Sequence, residues 1–171
     1  MVERHGGADP EVERLLRWLE GQRRHVLGAI EGLDEEALHR RVLPSGWNCV
    51  GLLQHLALDV ERFWFRAVLP GDAEVIAGFD TIEDAWQVPA DTPSAQVLAG
   101  YRRECALADA AVIAAGSADA PLAWWPPAFG DPHLHTLRDV LLHVITETSC
   151  HAGHLDAVRE QMDGKQWLVL T

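Results

Sequence analysis

The chain has 171 residues, 48% of them apolar and 23% charged, with a formal net charge of −12. This length suits a single domain over 1–171 with a core of its own, and the acidic balance excludes a nucleic-acid footprint, which needs a basic stripe. No apolar run reaches the roughly 18–20 residues of a membrane span. The opening MVERHGGADP lacks a hydrophobic signal core, so the chain is expected to be cytoplasmic, with no membrane association.

A first helix is expected from Pro10, with Asp9 as its N-cap and Glu11 and Glu13 near its positive end. Leu15, Leu16, Leu19, Leu27 and Ile30 recur at helical spacing up to a stop near Gly32, and a short helical turn is expected over Asp34–His39. The second helix begins near Asn48, after Pro44-Ser45-Gly46, and runs to Leu69 before Pro70-Gly71. A long connection follows over 70–91, with a helical turn expected at Thr81–Ala85. The third helix takes Thr92 as N-cap and Pro93 behind it, and ends before Gly116. A second long connection, Ser117 to His135, carries Trp124-Trp125-Pro126-Pro127. The last helix opens on Thr136 and Asp139, a capping-box pair, and ends at Asp163-Gly164. The tail QWLVLT reads as a short strand or a packed extension. Four long helical segments without an alternating strand pattern point to an all-α four-helix bundle, with long loops between helices two and three and between three and four.

The last helix carries the chemistry. At about 100° per residue, Leu137, Val140, Val144, Leu155 and Val158 form an apolar stripe, and Glu147 and His151 fall inside it as neighbours four residues apart, with His143 and His154 at an edge. A carboxylate in such a stripe is costly unless it is paired, protonated or bound to a cation. The second helix has a core side centred on Leu53, Leu56, Val60 and Phe63; His55 lies at its border, beside Leu52 and Asp59. His55, Glu147 and His151 are therefore a candidate two-histidine, one-carboxylate metal set that leaves coordination positions open. Against this, a single helical histidine is more often a core or surface residue, and an E-x-x-x-H pair is more often a weak surface interaction. Spacing alone leaves both readings open.

Cys49, Cys105 and Cys150 are too scattered for a disulfide framework or thiolate knuckle and read as reduced thiols, with Cys150 flagged because it precedes His151. Trp47, Trp86, Trp124 and Trp125 are candidate pocket walls, and His133 or His135 a candidate lining residue; His5, His25 and His39 read as packing or capping groups. Asp59 and His154 are candidates for orienting ligands or moving protons.

The segments SGWNCVGLLQHLALDVERFWF at 45–65 and LRDVLLHVITETSCHAGHLDAVREQMDG at 137–164 together resemble the DinB-like superfamily, in its DinB/YfiT-type branch related to the N-terminal domain of mycothiol-dependent maleylpyruvate isomerase. The likeness extends in outline from about residue 10 to 164. It implies a bundle holding a divalent metal near one end, with His55 and His151 at the family's ligand positions. Many members have a histidine at that position; this chain has Glu147 there, as the isomerase-like branch has a glutamate. Zinc is the first expectation, nickel or iron the next. The resemblance further implies a low-molecular-weight thiol cosubstrate, a small-molecule electrophile and a homodimer. The expected function is metal-dependent activation of a thiol or water for attack on that electrophile. The alternatives are a non-catalytic metal- or small-molecule-binding stress-response protein, and a bundle whose polar residues merely pair with one another.

Overall fold

The computed structural model describes residues 9–79, 84–131 and 134–167. These residues fold entirely into helices and loops, apart from one isolated bridge between Pro121 and Thr136. None of the helices is long and apolar enough to cross a membrane.

Helix α1 spans Pro10–Ile30. One carboxylate oxygen of its cap, Asp9, accepts from the Glu11 N–H at 2.9 Å; the other accepts from Ala118 N–H at 2.8 Å, which pins the loop preceding the last helix. The short α2, Glu35–His39, is capped by Asp34. Helix α3, Cys49–His55, starts at Asn48, whose side chain accepts from Gly51 N–H at 2.8 Å. Beyond His55 the helix does not stop but widens into a π-helix over Leu56–Val68. At its end the Leu69 N–H reaches the Trp64 carbonyl five residues back, at 3.1 Å.

The widening changes which residues face inward. Leu56, Ala57, Val60, Glu61, Trp64 and Phe65 are buried, whereas Phe63, expected in the core from α-helical spacing, is only half-buried. A π-helix takes roughly 4.4 residues per turn, so the inward face drifts away from the α-helical pattern.

Helix α4, Ala73–Phe79, lies where the sequence reading had a connection; the turn expected at Thr81–Ala85 falls mostly outside the described residues. Helix α5, Ser94–Ala115, starts after Pro93 rather than at Thr92, and its cap residue makes no side-chain bond. A tertiary partner replaces the missing cap: the Ser94 N–H donates to Glu35 of α2 at 2.8 Å. Helix α6, Leu137–Asp163, opens with the expected Thr136–Asp139 capping box and ends on Gly164 at φ +73°. Of the tail, Trp167 is described: its ring lies against Gly28, where no Cβ would fit, and stacks on His25.

α1 packs chiefly along α6, and α5 along the π-helix. Polar ties cross these pairs. The buried Arg23 of α1 makes two 2.7 Å bonds to the equally buried Glu61 of the π-helix and a third to Asp109 of α5. Arg159 of α6 donates to the carbonyls of Ala29 and Glu31, at 3.0 and 2.8 Å, closing the end of α1.

Removing one member of a buried ion pair strands the other charge, which typically costs about 3–5 kcal/mol. Glu61→Ala is therefore expected to lower unfolding stability by about that amount, and Glu61→Ala combined with Arg23→Met by clearly less, as read by urea denaturation. The N–H groups of His135 and Thr136 hold the Asp139 carboxyl below its ordinary value of 3.8. A carboxylate whose folded pKa is depressed contributes stability above its unfolded value and loses it as pH falls through the folded one. Asp139→Asn is thus expected to destabilise at neutral pH, with the deficit from wild type shrinking below about pH 3.8 in a urea-midpoint series.

Candidate metal centre

α6 carries its buried stripe on Leu137, Val140, Leu141, Val144, Thr148, Ala152, Leu155 and Val158. Glu147 and His151 stand at the border of this stripe, not within it, because Thr148 and Ala152 occupy its centre; the Glu147 side chain is 36% exposed. Burial alone therefore does not force a partner on Glu147. The convergence of the three side chains is the stronger observation.

His55 comes from the last turn of α3 and faces α6. One ligand atom from each of His55, Glu147 and His151 lies within 4.8 Å of the others, close enough that the three could hold a metal ion. Glu147 Oε1 is 3.2 Å from His151 Nε2 and 3.8 Å from His55 Nε2. The other nitrogen of His55, Nδ1, sits 2.9 Å from Asp59 Oδ2, one turn along. A bond to a carboxylate places the proton on Nδ1 and leaves the Nε2 lone pair free. That Nε2 is buried and has no hydrogen-bond partner. A buried polar atom without a partner calls for an explanation, and an ion bound between the two imidazoles and the carboxylate supplies one.

Burial, reinforced by the nearby His55, holds the His151 imidazole below its ordinary pKa of 6.5. At neutral pH it is therefore uncharged, the form that ligates metals. His154 is exposed, its Nδ1 3.5 Å from His151 Nδ1.

Trp86 stacks on His55 with ring centroids 4.2 Å apart and lies 5.6 Å from His151, so its indole roofs both imidazoles. Trp47 touches Trp86 and His154 at 6.4 Å each. Gly51 makes this roof feasible: a Cβ there would come within 2.4 Å of the Trp86 carbonyl oxygen. Gln54 fastens the same strand of chain by donating to the Ala85 carbonyl at 2.9 Å.

The remaining sequence candidates separate from the cluster. His143, one turn before Glu147, contacts Trp64 at 4.6 Å rather than any of the three clustered side chains. Trp124 and Trp125 gather with Phe63, Trp64 and Phe129 instead of lining the imidazoles. His135 is exposed, and His133 lies outside the described residues. His25 packs as expected, its Nε2 2.6 Å from Asp156. Cys49 is buried and its thiol pushed up to about 11; Cys105 is likewise raised by burial, whereas Cys150 is exposed. The sequence reading missed Gly51 and Trp64. A glycine within the first turns of a helix is a signal of close backbone approach. Trp64, four residues after Val60 and eleven after Leu53, lies on the core side by α-helical spacing, so a spacing rule could have marked it as a core residue.

A family model described as mycothiol-S-transferase matches residues 14–164. The chain belongs to that family, and the resemblance read from its two motifs is consistent with this membership. No curated protein matches the chain, and no solved structure does.

Introducing a methyl group against a backbone atom forces a shift that typically costs about 1–3 kcal/mol. Gly51→Ala is expected to destabilise by about that amount and to lift Trp86 off His55, seen as a changed tryptophan emission relative to wild type. Unchanged emission and stability would show that Gly51 does not set this contact.

Proposed function

We propose that this member of the mycothiol-S-transferase family is a divalent-metal enzyme that joins a mycothiol-class thiol to a small electrophile. The observation that carries the reading is the partnerless, buried Nε2 of His55 facing Glu147 and His151. Those three side chains would hold the metal, zinc before nickel or iron, in one domain built as a four-helix bundle from α1, α3 with its π-helix, α5 and α6. The ion supplies Lewis acidity, which lowers the pKa of a sulfur or oxygen acid in its coordination sphere.

The protein's own groups do the rest. Asp59 fixes the tautomer and orientation of His55, the role such carboxylates play behind metal-bound histidines. Trp86 covers both imidazoles and keeps bulk water off one side of the site. His154, exposed and beside His151, is placed to pass the thiol proton to solvent. On the Trp47–Trp86 side a cavity of about 260 Å³ is bordered by Ser45, Asp84 and Gln87, polar groups suited to a hydroxyl-rich thiol.

Tag-free protein is expected to bind about one equivalent of zinc through its three side chains, and His151→Ala to bind less than about a tenth of that after reloading. Asp59→Ala should weaken metal affinity by about 10–100-fold, measured by chelator competition. Mycothiol should bind the zinc-loaded protein in calorimetric titration, and thiol conjugation should disappear in His151→Ala. Wild-type protein that holds no transition metal, with His151→Ala indistinguishable from it, would sink the metal reading. Metal binding without any thiol binding would overturn the transferase reading and favour a non-catalytic binding protein.

A further inference from the structure

The helix contact that carries the candidate metal cluster continues along the π-helix and α6. His55 and Trp64 are nine residues apart. In an α-helix, nine steps of about 100° would place them on opposite faces. At roughly 4.4 residues per turn nine steps make just over two whole turns, so the π-helix brings Trp64 to the face that carries His55. The partners on α6 run the other way: His151 and Glu147 meet His55, and His143, one turn earlier, meets Trp64.

Around Trp64 the rings gather into an aromatic shelf. Phe63 lies 5.0 Å from Trp64, Trp125 6.1 Å and Phe129 6.3 Å, and Phe129 also meets Phe63 at 5.7 Å and Trp125 at 5.9 Å. Phe129 is 52% exposed, so the shelf presents ring surface to solvent. Trp125 also borders a cavity of about 210 Å³. No Arg or Lys belongs to this ring cluster, and the half-buried His143 imidazole has no hydrogen-bond partner among the described residues. The exposed Phe129 ring offers a stacking surface, His143 an unpartnered imidazole, and His135 borders the cavity beside Trp125, which suits a flat, uncharged ligand with an acceptor atom.

We infer that this shelf is the subsite of the electrophile, and that the electrophile is an uncharged aromatic one, stacked on Phe129 and Trp125 and backed by Phe63 and the buried Trp64, with His143 donating to its polar substituent. The inference rests on the thiol-transfer reading for its chemistry. The polar cavity lies beside Trp47 and Trp86, whose ring covers His55 and His151, and the shelf lies beside His143, one turn along α6 from Glu147, so thiol and acceptor would meet at the cluster between them. For an aryl halide the balance is simple. A carbon–sulfur bond forms, the carbon–halogen bond breaks with its electron pair leaving on the halide, and the thiol proton goes to solvent.

Binding of 1,3-dinitrobenzene, which has no leaving group, followed by calorimetry, tests the shelf apart from the reaction. Wild type is expected to bind it saturably, Phe129→Ala about three- to tenfold more weakly, and the metal-site variant His151→Ala as tightly as wild type. In conjugation assays with mycothiol and 1-chloro-2,4-dinitrobenzene, Phe129→Ala should raise KM with little change in kcat. Absent binding, or binding that ignores Phe129→Ala and Trp125→Ala, overturns the shelf even if an aliphatic electrophile is conjugated. Shelf binding that follows the expected pattern, with no conjugation of any electrophile, overturns the transfer reading and leaves the shelf standing.

Discussion

The backbone of residues 56–68 is the constraint on which the rest of the site depends. Its N–H groups reach five residues back instead of four, as the Leu69–Trp64 bond at its end shows. Such widened helices are rare and concentrate at functional sites, because they exchange good local hydrogen-bond geometry for a different set of inward positions. Here the exchange puts Glu61 and Phe65 inside, where α-helical spacing would have put Phe63. Glu61 then meets Arg23, and Trp64 meets His143.

The Arg23–Glu61–Asp109 tie has a part in holding that backbone. It links α1, the π-helix and α5 through a guanidinium that is itself buried. Ion pairs of this kind add little net stability compared with an apolar core, but a displaced partner is costly, so they oppose sliding of one helix along another. Register matters more here than total stability. A displacement of one residue along the π-helix would carry His55 and Asp59 away from Glu147 and His151.

The candidate metal cluster is assembled from simple parts. An i, i+4 pair on α6 and another at the α3–π junction, His55 with Asp59, face each other across one helix–helix contact. Burial favours the neutral form of His151, and the Asp59 carboxylate at Nδ1 orients the His55 ring so that its Nε2 faces the cluster. The roof over them depends on a glycine in α3 that admits the backbone of a loop contributed from thirty-five residues further along.

Much of this was legible in the residues themselves. The four long helices, the Asp9, Asn48 and Thr136 caps, the glycine stops and the all-helical class follow from local chemistry that needs no distant partner. The two motifs likewise marked His55, Glu147 and His151. The start of α5 was misread because Ser94 takes its cap from Glu35 on another helix, and α4 was missed because its seven residues carry little periodic signal. The placement of Glu147 at the edge of the stripe, the separation of His143 from the cluster, and the union of Trp64 with Phe129 and Trp125 were decided only by tertiary structure. The reason is physical: side-chain spacing along a sequence specifies a face only once the helical pitch is known, and across 56–68 that pitch departs from the α-helical value on which such spacing is read.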